Sequence, residues 1–128
     1  MIFGIGVDLV EVSRIRESLE KFPERFARKV FTEVEQEYCS RMPAPEMHYA
    51  ARFAAKEAFL KALGTGKARG IAWTDVGIVN LGSGQPTLEL TGRAAEVMAE
   101  KGAGVAHVSL SHSRGHAMAA VVLEKSAG

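Results

Sequence analysis

The chain has 128 residues, 47% hydrophobic and 24% charged, with a net charge of +1 and one cysteine. That is the size of a single domain with enough apolar material for a core, and the composition is not that of a disordered chain. It excludes an intrachain disulfide framework and a cysteine-built zinc cluster, gives no sign of a nucleic-acid partner, and contains no run long enough to span a membrane, so the default location is cytoplasmic.

Residues 2–12 are rich in Ile, Val, Phe and Gly and predict a buried strand. This start lacks a basic n-region and is interrupted by Asp8, so it does not resemble a signal peptide. Ser13 is placed to cap a helix carrying Ile15 and Leu19, which Pro23 interrupts; a short helix resumes from Phe26 to Val30. Between Ser13 and Val30 stand six basic residues (Arg14, Arg16, Lys21, Arg25, Arg28 and Lys29) against three acids. Such a patch suits either a solvated helix face or an acidic macromolecular partner.

Thr32 with Glu35 forms a capping box opening a helix to about Arg41, and Met42-Pro43-Ala44-Pro45 breaks it. Glu46 to Leu63 is the clearest helix, and Gly64 is its natural stop. Asp75–Leu81 and Thr87–Leu90 predict a hairpin, Thr91–Lys101 a helix, and His107–Ser113 with His116–Glu124 two further strands. Strands and helices mix without regular alternation, which places the chain in the α+β class.

Asp8 sits among apolar neighbours, where an unpaired carboxylate is costly, so an arginine, backbone donors or a metal must satisfy it. Gly4 and Gly6 beside it permit close approach of another backbone or a ligand. Glu57 and Lys61, four residues apart on the strong helix, share a face with Ala50, Phe53 and Ala54. Arg52 and Lys56 form a second charged stripe turned away from Glu57. Taken singly, Asp8 reads as structural and Glu57–Lys61 as a surface pair. Together they are the residue types of a magnesium site: two carboxylates leave room for water and phosphate oxygens, and a lysine faces the phosphate. His107, His112 and His116 lie close in sequence but match no standard zinc spacing. In the strand from His107, alternation turns His107, Ser109 and Ser111 one way and Val108, Leu110 and His112 the other.

Three segments resemble the signatures of the holo-acyl-carrier-protein synthases. They run from Gly4 to Ile15 (GIGVDLVEVSRI), from Arg52 to Gly66 (RFAAKEAFLKALGTG) and from His107 to Ser113 (HVSLSHS), in that order and across essentially the whole chain. The resemblance implies one phosphopantetheinyl transferase domain over 1–128, with a small antiparallel sheet packed against helices and assembled as a homotrimer with sites between subunits. It implies transfer of 4'-phosphopantetheine from coenzyme A to a serine of acyl carrier protein, in support of fatty acid biosynthesis. Asp8 and Glu57 would hold Mg2+, and Lys61 would face the pyrophosphate. Arg52, Lys56, Gly64, Ser111 and His112 would contribute to binding coenzyme A. Arg14 and Arg25, with Leu19, Phe22 and Phe26, would dock the carrier protein. The base that activates the serine is open between Glu57 and a water carried by the metal. Three other readings fit parts of the pattern: a transferase acting on peptidyl carrier proteins, a trimeric module that holds a nucleotide or coenzyme A without chemistry, and a structural or interaction domain that docks through its basic helix.

Overall fold

The computed structural model describes residues 1–127. In chain order the elements are β1 (Ile2–Glu11), α1 (Val12–Lys21), α2 (Pro23–Val30), α3 (Glu33–Ser40), α4 (Pro45–Leu63), a single 3-10 turn (Trp73–Asp75), β2 (Val76–Asn80), β3 (Pro86–Leu90), α5 (Gly92–Lys101), β4 (Ala103–His112) and β5 (His116–Lys125). The fold is α+β. An antiparallel sheet has the order β1-β5-β4, and β2 and β3 form a separate antiparallel hairpin.

Helix α4 is the centre of the molecule. It packs on β1, β5 and β4 on one side and on α1, α3 and β2 on the others. Its run of alanines (50, 51, 54, 55, 58 and 62) is buried to the last residue, which lets neighbours approach the helix axis closely. The glycines of β1 complete that fit. A Cβ on Gly4 would lie 2.0 Å from the Ala62 carbonyl oxygen, and one on Gly6 would lie 1.9 Å from that of Ala58. Only glycine allows the strand to lie directly on the helix backbone at these two positions.

Several local signals act as the sequence predicts. The Thr32–Glu35 capping box is formed, with Thr32 Oγ1 accepting from the Glu35 amide and Glu35 Oε1 from the Thr32 amide. Gly64 closes α4 in the left-handed conformation (φ 86°), its amide donating to Leu60 and Lys61 carbonyls. Others differ. Pro23 itself opens α2, three residues before the Phe26 start that the sequence pattern gave, because a helix's first residue needs no amide donor. α1 starts at Val12 behind Glu11, so Ser13 lies inside its first turn and caps nothing. β4 begins at Ala103, four residues earlier than the sequence pattern suggested.

β1 is also not buried on both faces. Gly6 and Val10 turn toward α4, whereas Ile5 (60% exposed) and Leu9 (64%) stand on the outer face. The register pairs Ile5, Val7 and Leu9 with Val122, Ala120 and Met118 of β5, so these six residues make one continuous apolar outer surface. Among the described residues no helix is long and apolar enough to cross a membrane.

Candidate active site

Asp8 lies on the inner face of β1, two residues beyond Gly6, and meets the one stripe of α4 that carries Glu57 and Lys61. Lys61 Nζ donates to Asp8 Oδ1 at 2.8 Å and to the Val7 carbonyl oxygen at 3.2 Å. The Asp8 side chain is nearly buried (11% exposed) while that of Lys61 is half open (55%). The structure thus brings together in space the three residues that the sequence combined only by type.

The electrostatics of the trio follow from that arrangement. Burial pushes the Glu57 carboxyl above its ordinary range; the charge of Asp8 and a hydrogen bond to it push the same way, against the pull of Lys61 and Arg14. The hydrogen bond to Asp8 raises the Lys61 ammonium. Two carboxylates this close repel when both are ionised, and a divalent cation removes the repulsion. The donor set fits magnesium, which takes one or two carboxylates and fills its remaining positions with water and phosphate oxygens. Among the described residues no cluster of three or more His, Cys, Asp or Glu gathers to hold a metal.

A cavity of about 340 Å³ opens beside this pair. Asp8, Glu57, Arg14 and Ser18 supply its polar wall, and Val10, Ile15, Phe26 and Phe53 much of its apolar wall. One side is therefore suited to phosphate and metal and the other to an apolar or flexible chain.

A second cleft, of about 360 Å³, lies between α3, α4, the β2–β3 turn and β4, and shares no wall residue with the first. Arg52 is its cationic group. It is 3% exposed, and its guanidinium donates from Nη2 to Asn80 Oδ1 at 2.7 Å and lies 4.2 Å over the Tyr38 ring. His48 and His112 line the same cleft. Ser111, beside His112 near the end of β4, is exposed, pairs with Met118 on the outer sheet face and is not part of the cleft wall.

Lys56 is placed differently from the sequence expectation. Its Nζ is fully buried and donates to Glu35 Oε1 at 2.8 Å, the Trp73 carbonyl oxygen at 3.1 Å and the Val76 carbonyl oxygen at 2.6 Å. All three of its donors are spent inside the protein, so it holds α4 against α3 and β2 and does not reach a ligand. Burial pulls this ammonium down in pKa, against the opposing pull of Glu35. Glu35, which the sequence showed only as a capping residue, also accepts from the Ile78 amide at 2.8 Å. Gly64 is exposed at the helix end, open to a ligand but marked by its φ as a cap.

Of the residues assigned to carrier-protein docking, Arg14 is exposed at the rim of the first cavity. Phe22 is 52% exposed with Arg25 6.0 Å over its ring. Leu19 and Phe26 turn partly inward, and Phe26 packs edge-on against Phe31 at 5.9 Å. His48, Tyr38 and Asn80 were not nominated from the sequence. They come from three separated elements, and only the crossing of α3, α4 and β2 assembles them around Arg52.

The model of the 4'-phosphopantetheinyl transferase superfamily matches residues 4–121. The chain is 49% identical to the holo-[acyl-carrier-protein] synthase of Trichlorobacter lovleyi, over 97% of this chain and 98% of that one. It is 48% identical to that of Syntrophus aciditrophicus over 97% of each. Among solved structures it resembles the Neisseria meningitidis holo-[acyl-carrier-protein] synthase (TM-score 0.90, 34% identity, covering 98% of this chain and 100% of that one). It also resembles the Bacillus anthracis synthase in complex with CoA (3',5'-ADP) (TM-score 0.81, 35% identity, covering 98% and 99%).

Proposed function

The chain belongs to the 4'-phosphopantetheinyl transferase superfamily, and we propose that the junction of β1 and α4 is where it does that family's chemistry. It is a holo-acyl-carrier-protein synthase: it moves 4'-phosphopantetheine from coenzyme A to a serine of apo acyl carrier protein and releases 3',5'-ADP, a step that serves fatty acid biosynthesis. The observation that carries the site assignment is the meeting of Asp8, Glu57 and Lys61 at one wall of a half-apolar cavity.

Asp8 and Glu57 would hold magnesium. When bound, the ion supplies positive charge to the diphosphate oxygens as the phosphorus–oxygen bond breaks, the dominant contribution in such transfers. Lys61, exposed and fixed by Asp8, adds a second point charge toward the same oxygens. The serine hydroxyl needs a base, and Glu57, directly or through a water beside it, is the candidate in this cavity. The walls from Val10, Ile15, Phe26 and Phe53 exclude water and take the pantetheine arm.

Arg52 and His112 would bind the nucleotide end of coenzyme A. Their cleft and the Asp8–Glu57 cavity have no wall in common within one chain, and β1 and β5 leave an apolar outer face uncovered. Both facts support a homotrimer in which one copy's cleft completes its neighbour's cavity. Arg14, Phe22 and Arg25 on α1 and α2 offer the basic and apolar surface for an acidic carrier protein, and a cytoplasmic location suits these partners.

The test is the intact mass of apo acyl carrier protein after incubation with this protein, coenzyme A and magnesium, with a parallel sample in EDTA. A gain of roughly 340 Da, one phosphopantetheine, with magnesium alone is the expected result. No gain by a carrier protein that another transferase can load would remove this function.

A further inference from the structure

The cleft around Arg52 contains a further ionisable side chain, His48. His48, on α4, stands between two rings, with His112 of β4 at 5.0 Å and Tyr38 of α3 at 6.0 Å between centroids, both edge-on. One turn further along the helix is Arg52, whose Nη1 lies 3.5 Å from the His48 carbonyl oxygen. The Arg52 Nε is buried and has no hydrogen-bond partner. A buried donor left unpaired costs about 1–3 kcal/mol, so this guanidinium keeps hydrogen-bonding capacity that no described residue takes up. Three groups that can be cationic therefore share one recess with a planar fork at its base, the composition of a receptor for a phosphate.

Resting on the assignment of this cleft to the nucleotide end of coenzyme A, we propose that His48 is a further binding residue for that end: it takes up a proton as a phosphate of the nucleotide enters, coupling nucleotide affinity to pH. The charged and titratable groups facing it are His112 from β4, Arg52 and Glu46 from α4, and Tyr38 from α3. Without a ligand, burial, His112 and Arg52 all hold the imidazole below its ordinary pKa, and only Glu46 opposes them. A phosphate dianion reverses the sign of the local field. The imidazole is then neutral in the free protein near neutral pH and protonated in the complex. Affinity is highest at the acid end of this range and falls as pH rises through the pKa of the complex, by up to about tenfold for each pKa unit that the phosphate restores.

Calorimetry of 3',5'-ADP binding tests this, run near neutral pH in two buffers of different ionisation enthalpy so that the protons taken up are counted. The phosphate's own titration is common to every protein variant, so the difference between variants isolates the side chain. His48→Phe keeps an aromatic ring between Tyr38 and His112 and is expected to take up fewer protons than wild type. Its affinity should also fall less between about pH 6 and about pH 8. The same uptake in both proteins overturns the proposal. Arg52→Gln separates the two levels: unchanged 3',5'-ADP affinity in that variant would show that the nucleotide does not use this cleft at all. Should His48→Phe fold poorly, the His48 ring is followed by NMR in the wild-type protein. A pKa that rises on adding 3',5'-ADP supports the assignment, and one that does not move refutes it.

Discussion

Replacing Gly6 by alanine tests how the fold sets the chemistry. The added methyl would lie 1.9 Å from the Ala58 carbonyl oxygen and 2.8 Å from the Ala62 amide nitrogen. These are backbone atoms of a buried helix and cannot swing aside. To reach ordinary contact, α4 must retreat from β1 by more than an ångström. Overpacking of this kind costs about 1–3 kcal/mol, a fall in Tm of roughly 3–15 °C for a chain of this length. The same retreat separates Asp8 from Glu57 and Lys61, since Gly6 is two residues from Asp8 and Ala58 is next to Glu57. A misplacement of about 1 Å at a reacting centre lowers rates by about a hundredfold. The assay is the initial rate of apo acyl carrier protein conversion by intact mass, with thermal unfolding followed by circular dichroism on the same samples. Gly115→Ala is the control, because a Cβ there meets nothing within 4 Å, and it should keep both rate and Tm. A Gly6→Ala protein that turns over at the wild-type rate would refute the link between this strand–helix contact and catalysis.

Three further outcomes follow from the same geometry. Lys56→Met leaves Glu35 buried without its cation and should destabilise by about 3–5 kcal/mol in urea unfolding, whereas Glu35→Gln combined with Lys56→Met should recover part of that loss; a double variant that loses as much as the sum of the two single variants would show that the pair is not coupled. Magnesium should raise Tm at neutral pH and much less in acid. The Glu57 carboxyl is raised in the folded state, so its ionisation weakens the free protein as pH rises through that raised value, and the ion relieves it only where the carboxylate is charged. A thermal shift equal at both pH values would contradict the ligand assignment. Arg14→Glu should raise KM for acyl carrier protein and spare coenzyme A affinity, with the wild-type KM rising with salt; equal effects on both substrates would remove Arg14 from the docking surface.

What the sequence disclosed was local. The capping box, the Gly64 stop and the two stripes of α4 depend on spacing within one helix, and each is found where the pattern puts it. Gly4 and Gly6 were legible as a close approach, but the partner they admit, the backbone of α4, is more than fifty residues away. Lys56 shows the limit. It belongs to the same stripe as Arg52, and only the carbonyls of Trp73 and Val76 and the carboxylate of Glu35, from three other elements, turn it from a ligand contact into an internal tie. The outer face of β1 was hidden for a related reason: an unbroken apolar run reads as buried, and the sheet leaves one side of it open.

The central claim, that Asp8 and Glu57 form the metal centre of a phosphopantetheinyl transfer, is tested most directly by titrating magnesium against the rate of carrier-protein mass gain for wild type and Asp8→Asn. Asn keeps the size of the side chain and a hydrogen-bonding oxygen for Lys61 but removes the charge. The variant is expected to unfold at the wild-type temperature or above it and to gain activity, if at all, only at far higher magnesium. An Asp8→Asn protein that saturates at the wild-type magnesium concentration with the wild-type rate would contradict it.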